Sequence, residues 1–275
     1  MKKQIWIDWK QQKLAAAIEF PENMQTDRKY PLLIICHGFV GSKVGVDRLF
    51  VKTAESLVKN GMIVLRFDYC GCGESSGEYG KTGLQDLIEQ TRTVIDYSFD
   101  LKNVDRNHIT LLGHSLGGAT AALTAANESR INRLILWSAV AHPYKDISRI
   151  VGDERVKLLQ QNITSIDYLG YGLTGRFFDS LSKYEPLKAA PDFSGDVLLI
   201  HGTSDEDIPV SYVRDYEKVF LKRNSGTCTI HEIQNANHTY SNSDHFSQLI
   251  RHTRSWLSSR QTLKVQRMND RAYIG

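Results

Sequence analysis

The stretch Ile109-Thr110-Leu111-Leu112-Gly113-His114-Ser115-Leu116-Gly117-Gly118-Ala119 decides the fold. It passes from an apolar, strand-like run into small helix-forming residues, and Ser115 stands at the junction with a glycine two residues to either side. A serine in a sharp strand-to-helix turn needs such glycines, because larger side chains would clash there. We therefore predict that the Ser115 hydroxyl points out from the carboxyl edge of a sheet, beside the Leu116 N–H at a helix start. A loop with two glycines and a serine is the plainer alternative.

The rest of the chain alternates short apolar runs rich in β-branched residues with longer amphipathic segments, which is typical of a mostly parallel sheet flanked by helices. Several runs are apolar without alternation, as expected for strands covered on both faces. The predicted strands are residues 14–20, 31–36, 62–67, 108–112, 133–137, 197–201 and 227–233. The predicted helices are residues 46–60, 83–99, 116–127, 210–220 and 244–258.

This alternation breaks between residues 141 and 190. The segment carries a helical pattern at 146–161 and a Gly/Tyr-rich run at 167–173 that fits a hairpin. It is too long for an ordinary connection in a compact domain. We predict a lid at 141–190, inserted into a core of residues 1–140 and 191–260, with a C-terminal tail at 261–275.

Composition excludes several classes of protein. Apolar residues make up 41% and charged residues 24% of the chain, as in ordinary globular proteins. The net charge is +3, and the sequence contains no block of five like charges. We therefore expect neither a nucleic-acid partner nor a membrane-surface partner. The N-terminus lacks a signal-peptide core and no stretch approaches the roughly 18 apolar residues of a membrane span, so a cytoplasmic location is expected.

Cysteine usage argues against disulfide and metal chemistry. Four cysteines, Cys36, Cys70, Cys72 and Cys228, are too few for a disulfide framework in a chain of 275 residues. The pair Cys70-x-Cys72 lacks both the usual zinc spacing and a second pair. We therefore expect no bound metal.

A nucleophilic serine requires a base, which in this fold is a downstream histidine. His238 follows the last predicted strand and precedes the final helix, which suits the chain order serine, acid, histidine. The acid should lie on the loop 202–209, where a carboxylate would hold the histidine tautomer and stabilise the imidazolium. Asp205, Glu206 and Asp207 all fit on spacing, and an acidic surface turn is the alternative.

The run His37-Gly38-Phe39-Val40-Gly41 follows the predicted strand 31–36. This is where such folds supply the second oxyanion donor, and the backbone N–H of Phe39 is the candidate. An ordinary glycine turn is the alternative. We interpret His37 as a residue that holds this loop and not as a second base.

Five motifs of the chain belong together: His37-Gly38-Phe39, Arg66-Phe67-Asp68-x-x-Gly71-x-Gly73-x-Ser75, Gly113-His114-Ser115-Leu116-Gly117-Gly118, His201-Gly202-Thr203-x-Asp205-x-x-Ile208-Pro209 and Asn237-His238. This set resembles the bacterial serine-hydrolase branch of the α/β hydrolases, nearest to the intracellular cinnamoyl and feruloyl esterases. The similarity runs from about residue 10 to residue 258 and leaves out the tail. The resemblance implies an α/β-hydrolase fold, and the family's G-x-x-D-x-x-[VI]-P loop selects Asp205 as the acid.

Two positions depart from this family. Leu116 stands where those esterases commonly have glutamine, and Thr174 stands where their lid carries a tyrosine that holds a phenolic hydroxyl. Asp146 roughly matches the acid of the same lid, which implies a substrate-binding role for it. A surface residue favoured by the dipole at a helix start is the alternative for Asp146.

The sequence thus predicts a carboxylic ester hydrolase that acts through an acyl-enzyme, with hydroxycinnamoyl esters as candidate substrates. Ser115 attacks, His238 transfers the proton, Asp205 orients His238, and the Phe39 and Leu116 N–H groups hold the oxyanion. We expect a small-molecule ester as ligand and no cofactor, and a homodimer is left open. A thioesterase, an acyltransferase or a small-peptide peptidase would use the same machinery, and a noncatalytic binding protein is the rival from another class.

Overall fold

A computed structural model describes residues 1–159, 161 and 163–272, with side chains described as far as residue 259. The strands of this part of the chain are β1 (Lys2–Trp9), β2 (Gln12–Glu19), β3 (Tyr30–Cys36), β4 (Ile63–Phe67), β5 (Val104–His114), β6 (Arg133–Trp137), β7 (Ser165–Tyr168), β8 (Tyr171–Thr174), β9 (Asp196–Gly202) and β10 (Cys228–Ile233). Its α-helices are α1 (Leu49–Val58), α2 (Leu84–Phe99), α3 (Leu116–Ala125), α4 (Pro143–Val151), α5 (Asp153–Leu158), α6 (Gly175–Ser182), α7 (Pro186–Ala189), α8 (Ser211–Phe220) and α9 (Ser243–Ala272).

The main sheet of the described residues has eight strands in the order β1-β2-β4-β3-β5-β6-β9-β10. β2 pairs antiparallel with β1 and β4. The remaining pairs of this sheet, which join β4, β3, β5, β6, β9 and β10 in that order, are parallel. In β3, Leu32 and Ile34 pack into the core on one face, while Leu33 and Ile35 pack into the core on the other. Burial on both faces explains why these strands show no apolar alternation. The predicted mostly parallel sheet flanked by helices is confirmed.

The sequence pattern does not predict strand β1, whereas each of the seven predicted strands is present in the structure. Its burial pattern leaves most side chains at least partly exposed, and only Ile7 and Trp9 are buried. β1 is held by antiparallel pairing with β2. A polar edge strand of this kind carries too little apolar pattern to be separated from a loop.

The chain between β6 and β9 forms α4 to α7 and the hairpin β7-β8, which confirms the predicted hairpin. The predicted helical pattern at 146–161 is divided into α4 and α5 at Gly152, whose φ of 103° ends the first helix. Thr174 Oγ1 donates to the Gly80 carbonyl oxygen at 2.6 Å, and the Leu84 N–H donates to Ser180 Oγ at 2.8 Å. The insertion is therefore joined to the core by direct hydrogen bonds.

The final helix, α9, continues past its predicted end at residue 258 and includes most of the predicted tail. Residues 273–275 of that tail lie outside the described residues. In the described part of the chain, no helix is both long enough and apolar enough to span a membrane.

Candidate active site

Ser115 occupies the turn between β5 and α3, as predicted. Its φ of 57° and ψ of −127° are unusual for a residue with a side chain, and such a conformation costs about 1–3 kcal/mol. Neighbouring backbone holds it in place, because the Ser115 N–H donates to the Trp137 carbonyl at 3.0 Å and the Val140 N–H donates to the Ser115 carbonyl at 3.1 Å. The serine is thus fixed at the carboxyl edge of the sheet.

The flanking glycines are required by close backbone approach. A Cβ atom on Gly113 would collide with the carbonyl oxygen of Gly117. A Cβ atom on Gly117 would collide with the carbonyl oxygens of Cys36 and His37. The turn therefore packs directly on the loop that follows β3.

His238 lies on the loop between β10 and α9, and its Nδ1 is 2.8 Å from Asp205 Oδ2. Because a carboxylate only accepts, Nδ1 carries the proton and donates. The second ring nitrogen, Nε2, is left without that proton and can act as a base. The His238 side chain is 13% exposed, whereas that of Asp205 is 0% exposed.

Asp205 is held by several donors at the end of β9. Its Oδ1 accepts from the N–H groups of Asp207 at 3.0 Å and Ile208 at 2.8 Å. Burial alone would raise the pKa of the Asp205 carboxyl, but hydrogen bonds from His201, His238 and the Ile208 N–H bring it well below its ordinary value. The carboxylate therefore stays ionised.

Of the three carboxylates that sequence spacing left open, the structure joins Asp205 to His238. Glu206 and Asp207 are both exposed. Asp207 contributes its backbone, since its N–H donates to Asp205 and its carbonyl oxygen accepts from Arg149.

The sequence interpretation missed a role for His114, which precedes the serine. His114 Nε2 donates to the His238 carbonyl oxygen at 2.8 Å, and the two ring centroids are 4.7 Å apart. Burial, with His238 nearby, lowers the pKa of His114 to about 3, so its ring is neutral near pH 7. His114 thus connects the His238 loop to the residue before Ser115, and its position next to the serine was the available signal in the sequence.

The loop after β3 passes against the serine, since a Cβ atom on Gly38 would lie 3.0 Å from Ser115 Cβ. His37 Nε2 accepts from the Tyr69 N–H at 3.0 Å, so its Nδ1 carries the proton and donates to the Gly38 carbonyl at 2.8 Å. This agrees with the prediction that His37 holds the loop. Phe39 and its N–H, the predicted oxyanion donor, follow directly.

Lys43 ties the far end of this loop to the segment after β4. Its N–H and its Nζ donate to the two carboxylate oxygens of Asp68, each at 2.5 Å. The two side chains are 5% and 0% exposed, so the ion pair is buried. The Lys43 carbonyl also accepts from Arg66, which is itself buried.

Aromatic side chains of the insertion pack against the same loop. The Phe39 ring lies 5.4 Å from the ring of Tyr168 and 5.8 Å from that of Phe177. It also lies 6.1 Å from the ring of Tyr79, a core residue that the sequence interpretation did not single out. Phe177 is fully buried, whereas Tyr168 and Phe39 are half-buried. The insertion thus lies against the candidate oxyanion loop.

Asp146 lies in the first turn of α4 and is only 1% exposed, so the alternative of a surface residue is wrong. Its Oδ1 accepts from the Tyr212 hydroxyl at 2.9 Å, and its Oδ2 accepts from the His142 N–H at 3.2 Å. Burial raises the pKa of the Asp146 carboxyl, and these hydrogen bonds offset part of the increase. Its contact with a substrate stays a prediction.

The described residues contain no group of three or more His, Cys, Asp or Glu side chains placed to hold a metal ion. A histidine whose Nδ1 is held by a buried carboxylate, on a loop that contacts the residue before Ser115, is suited to act as a general base.

Comparison with known proteins agrees with this fold. The family described as serine aminopeptidase, S33 matches residues 28–168, which include the Ser115 turn. The solved structure of Est1E from Butyrivibrio proteoclasticus with ferulic acid bound is similar at a TM-score of 0.80 and 26% identity, over 94% of this chain and 99% of that one. The chain therefore has the predicted α/β-hydrolase fold and resembles a protein that binds ferulic acid.

Two curated relatives match a shorter region. An uncharacterised 31.7 kDa protein from the traX-finO intergenic region of Escherichia coli is 34% identical over 41% of this chain. The quorum-quenching protein AidA of Acinetobacter baumannii is 29% identical over 40% of this chain. The matched regions span 38% and 36% of those relatives' own lengths.

Proposed function

Since the chain belongs to the serine aminopeptidase S33 family of α/β hydrolases, we propose that it hydrolyses carboxylic esters through a triad of Ser115, His238 and Asp205. The observation that carries the proposal is the hydrogen bond from His238 Nδ1 to the buried Asp205 carboxylate, on a loop whose backbone is contacted by His114, the residue before Ser115. That arrangement leaves His238 Nε2 as the base for the Ser115 hydroxyl.

In the proposed reaction, Ser115 Oγ attacks the ester carbonyl carbon while its proton passes to His238 Nε2. The carbonyl oxygen becomes an oxyanion, which accepts from the N–H groups of Phe39 and Leu116. The tetrahedral intermediate expels the alcohol, which takes the proton from His238, and an acyl-enzyme remains. Water then attacks the acyl carbon in the same way, releasing the carboxylic acid and restoring Ser115.

Hydroxycinnamoyl esters are the substrate class that we propose. Support comes from the similarity to Est1E with ferulic acid bound and from the half-buried aromatic rings of Tyr168 and Phe39, whose centroids are 5.4 Å apart. Such rings suit a flat aromatic acyl group.

A small-peptide peptidase is the second candidate, because the matched family is described as a serine aminopeptidase. The same triad would act on an amide, with an amine as the leaving group.

A fluorophosphonate probe with a panel of substrates tests these proposals. We expect the probe to label wild type and not Ser115→Ala, and methyl ferulate to be hydrolysed faster than an aminoacyl anilide. Ser115→Ala should lose at least about a thousandfold in kcat, because the oxyanion hole and binding alone remain. Activity of Ser115→Ala within about tenfold of wild type would reject the nucleophile, and faster anilide cleavage would favour the peptidase.

A further inference from the structure

The end of β9 places a second histidine against the carboxylate of the proposed triad. His201 Nε2 lies 3.0 Å from Asp205 Oδ2 and 3.1 Å from the carbonyl oxygen of Ile208. The His201 side chain is 1% exposed, and that of Asp205 is 0% exposed. Oδ2 is also the atom that lies 2.8 Å from His238 Nδ1. One buried carboxylate oxygen is therefore shared by two imidazole rings.

The tautomer of His201 follows from its partners. A carbonyl oxygen and a carboxylate oxygen both only accept, so His201 Nε2 must carry a proton and donate. A carboxylate that already accepts one hydrogen bond is a weaker base toward a second donor. His201 therefore reduces the negative charge that Asp205 Oδ2 can offer to His238.

We infer that His201 is a positioning residue, which fixes the orientation of Asp205 and weakens the hold of its carboxylate on protonated His238. The inference rests on the proposed function, because it needs His238 as the base. Its consequence is that His238 returns the proton to the leaving group more readily than it would beside an unshared carboxylate.

Other titratable and charged groups approach the same pair from the surrounding elements. His114 of β5 donates to the His238 carbonyl, and Tyr240, before α9, has its pKa raised by burial and by Asp205, so it keeps its proton. Arg149 of α4 bonds the Asp207 carbonyl on the same loop. Among the described side chains, His201 Nε2 and His238 Nδ1 lie within 3.0 Å of Asp205 Oδ2.

The test compares His201→Leu, which has no donor, with His201→Gln, whose amide keeps an N–H at a similar reach. The readouts are the rate of fluorophosphonate labelling of Ser115 and kcat/KM for methyl ferulate, both measured against pH. We expect His201→Leu to move the acid limb of both profiles upward by about half to one pH unit, because the unshared carboxylate stabilises protonated His238. His201→Gln should leave the limb near that of wild type.

A purely structural role for His201 would lower the rate at every pH without moving the limb, and that result would overturn the inference. A limb that moved equally in both variants would also overturn it. If wild type were not labelled at all, the proposed function would fail instead. Should His201→Leu fail to fold, nitrogen NMR of wild type decides: a His201 proton on Nε2 supports the inference, and one on Nδ1 overturns it.

Discussion

At the scale of single residues, the loop after β9 offers two aspartates of different environment. The Asp205 carboxylate is buried and contacts His238, whereas Asp207 is exposed and its backbone N–H donates to Asp205. We predict that Asp205→Asn lowers kcat by up to roughly ten-thousandfold, because an amide favours the wrong His238 tautomer. Asp207→Asn is the matched control and should stay within about threefold of wild type, since the Asp207 side chain is exposed and the backbone N–H that reaches Asp205 is kept. Steady-state kinetics on one ester would check both variants, and a larger loss in Asp207→Asn would refute the assignment.

Asp146 requires a test that separates packing from substrate contact. Asp146→Ala removes the hydrogen bonds to Tyr212 and His142, so we expect about 1–3 kcal/mol lower stability in urea unfolding. If Asp146 also holds a phenolic hydroxyl, kcat/KM should fall about tenfold or more for a ferulate ester and barely change for a cinnamate ester.

Tyr212→Phe is the matched control for this change, because it removes the same internal hydrogen bond and leaves the carboxylate in place. A loss with Asp146→Ala that is equal on ferulate and cinnamate esters would make Asp146 a helix-capping residue only. The sequence placed this residue at a helix start but could not give its burial, because the burial depends on contact with α8, which begins 65 residues later in the chain at Ser211.

At the scale of elements, two irregular segments are joined by the buried pair Lys43 and Asp68. Lys43→Met would leave Asp68 charged and buried without its partner, which costs about 3–5 kcal/mol. Lys13→Met is the control: the Lys13–Asp8 pair is 64% and 78% exposed, and loss of such a pair costs at most about 1 kcal/mol. Urea unfolding of both variants provides the measurement.

The same substitution should also affect catalysis, because Lys43 ends the loop that presents the Phe39 N–H. We expect kcat of Lys43→Met to fall by up to about a hundredfold, the lower range for loss of one oxyanion donor. If Lys43→Met matched Lys13→Met in both its unfolding free energy and its kcat, the Lys43–Asp68 pair would not be what holds the loop.

Elements with both faces buried were the most predictable from sequence. Strand β6, Arg133–Trp137, has its predicted bounds, because four consecutive buried apolar residues follow Arg133 and form a short continuous apolar run. The α3 helix and its preceding turn were predictable because the glycine spacing is local. By contrast, β1 depends on its pairing with β2, and its exposed side chains carry no comparable signal.

At the scale of the whole molecule, the chain order of serine, acid and histidine indicated which strand ends meet, but the contacts among them are long-range. His114 contacts His238, which lies 124 residues later in the chain, whereas His201 lies only four residues before Asp205, and their contact depends on how the loop after β9 folds back on the strand. The sequence identified Ser115, Asp205 and His238 as candidates but gave no role to His114, which contacts the His238 carbonyl, or to His201, which lies against Asp205.

The insertion between β6 and β9 can act as a lid only if it moves relative to the main sheet. The hairpin β7-β8 is a separate two-stranded sheet, and its tip carries Leu169 at 75% exposure. Small sheets of this kind open locally far more often than buried central strands such as β3. Amide hydrogen exchange of the free protein should therefore be fast in the hairpin and slow in β3.

An aryl phosphonate attached to Ser115 would place an aromatic group beside Phe39 and its neighbour Tyr168. If the insertion closes over the site, we predict that this adduct slows exchange in the hairpin by about tenfold, equivalent to about 1.4 kcal/mol of opening free energy. Exchange in β1, which lies at the opposite edge of the sheet from β10, should be unchanged and serves as the internal control. A methyl phosphonate should have a smaller effect, because it brings no ring to pack against Tyr168. Equal exchange in the free and aryl-labelled protein would mean that the insertion is a fixed wall of the site and not a lid.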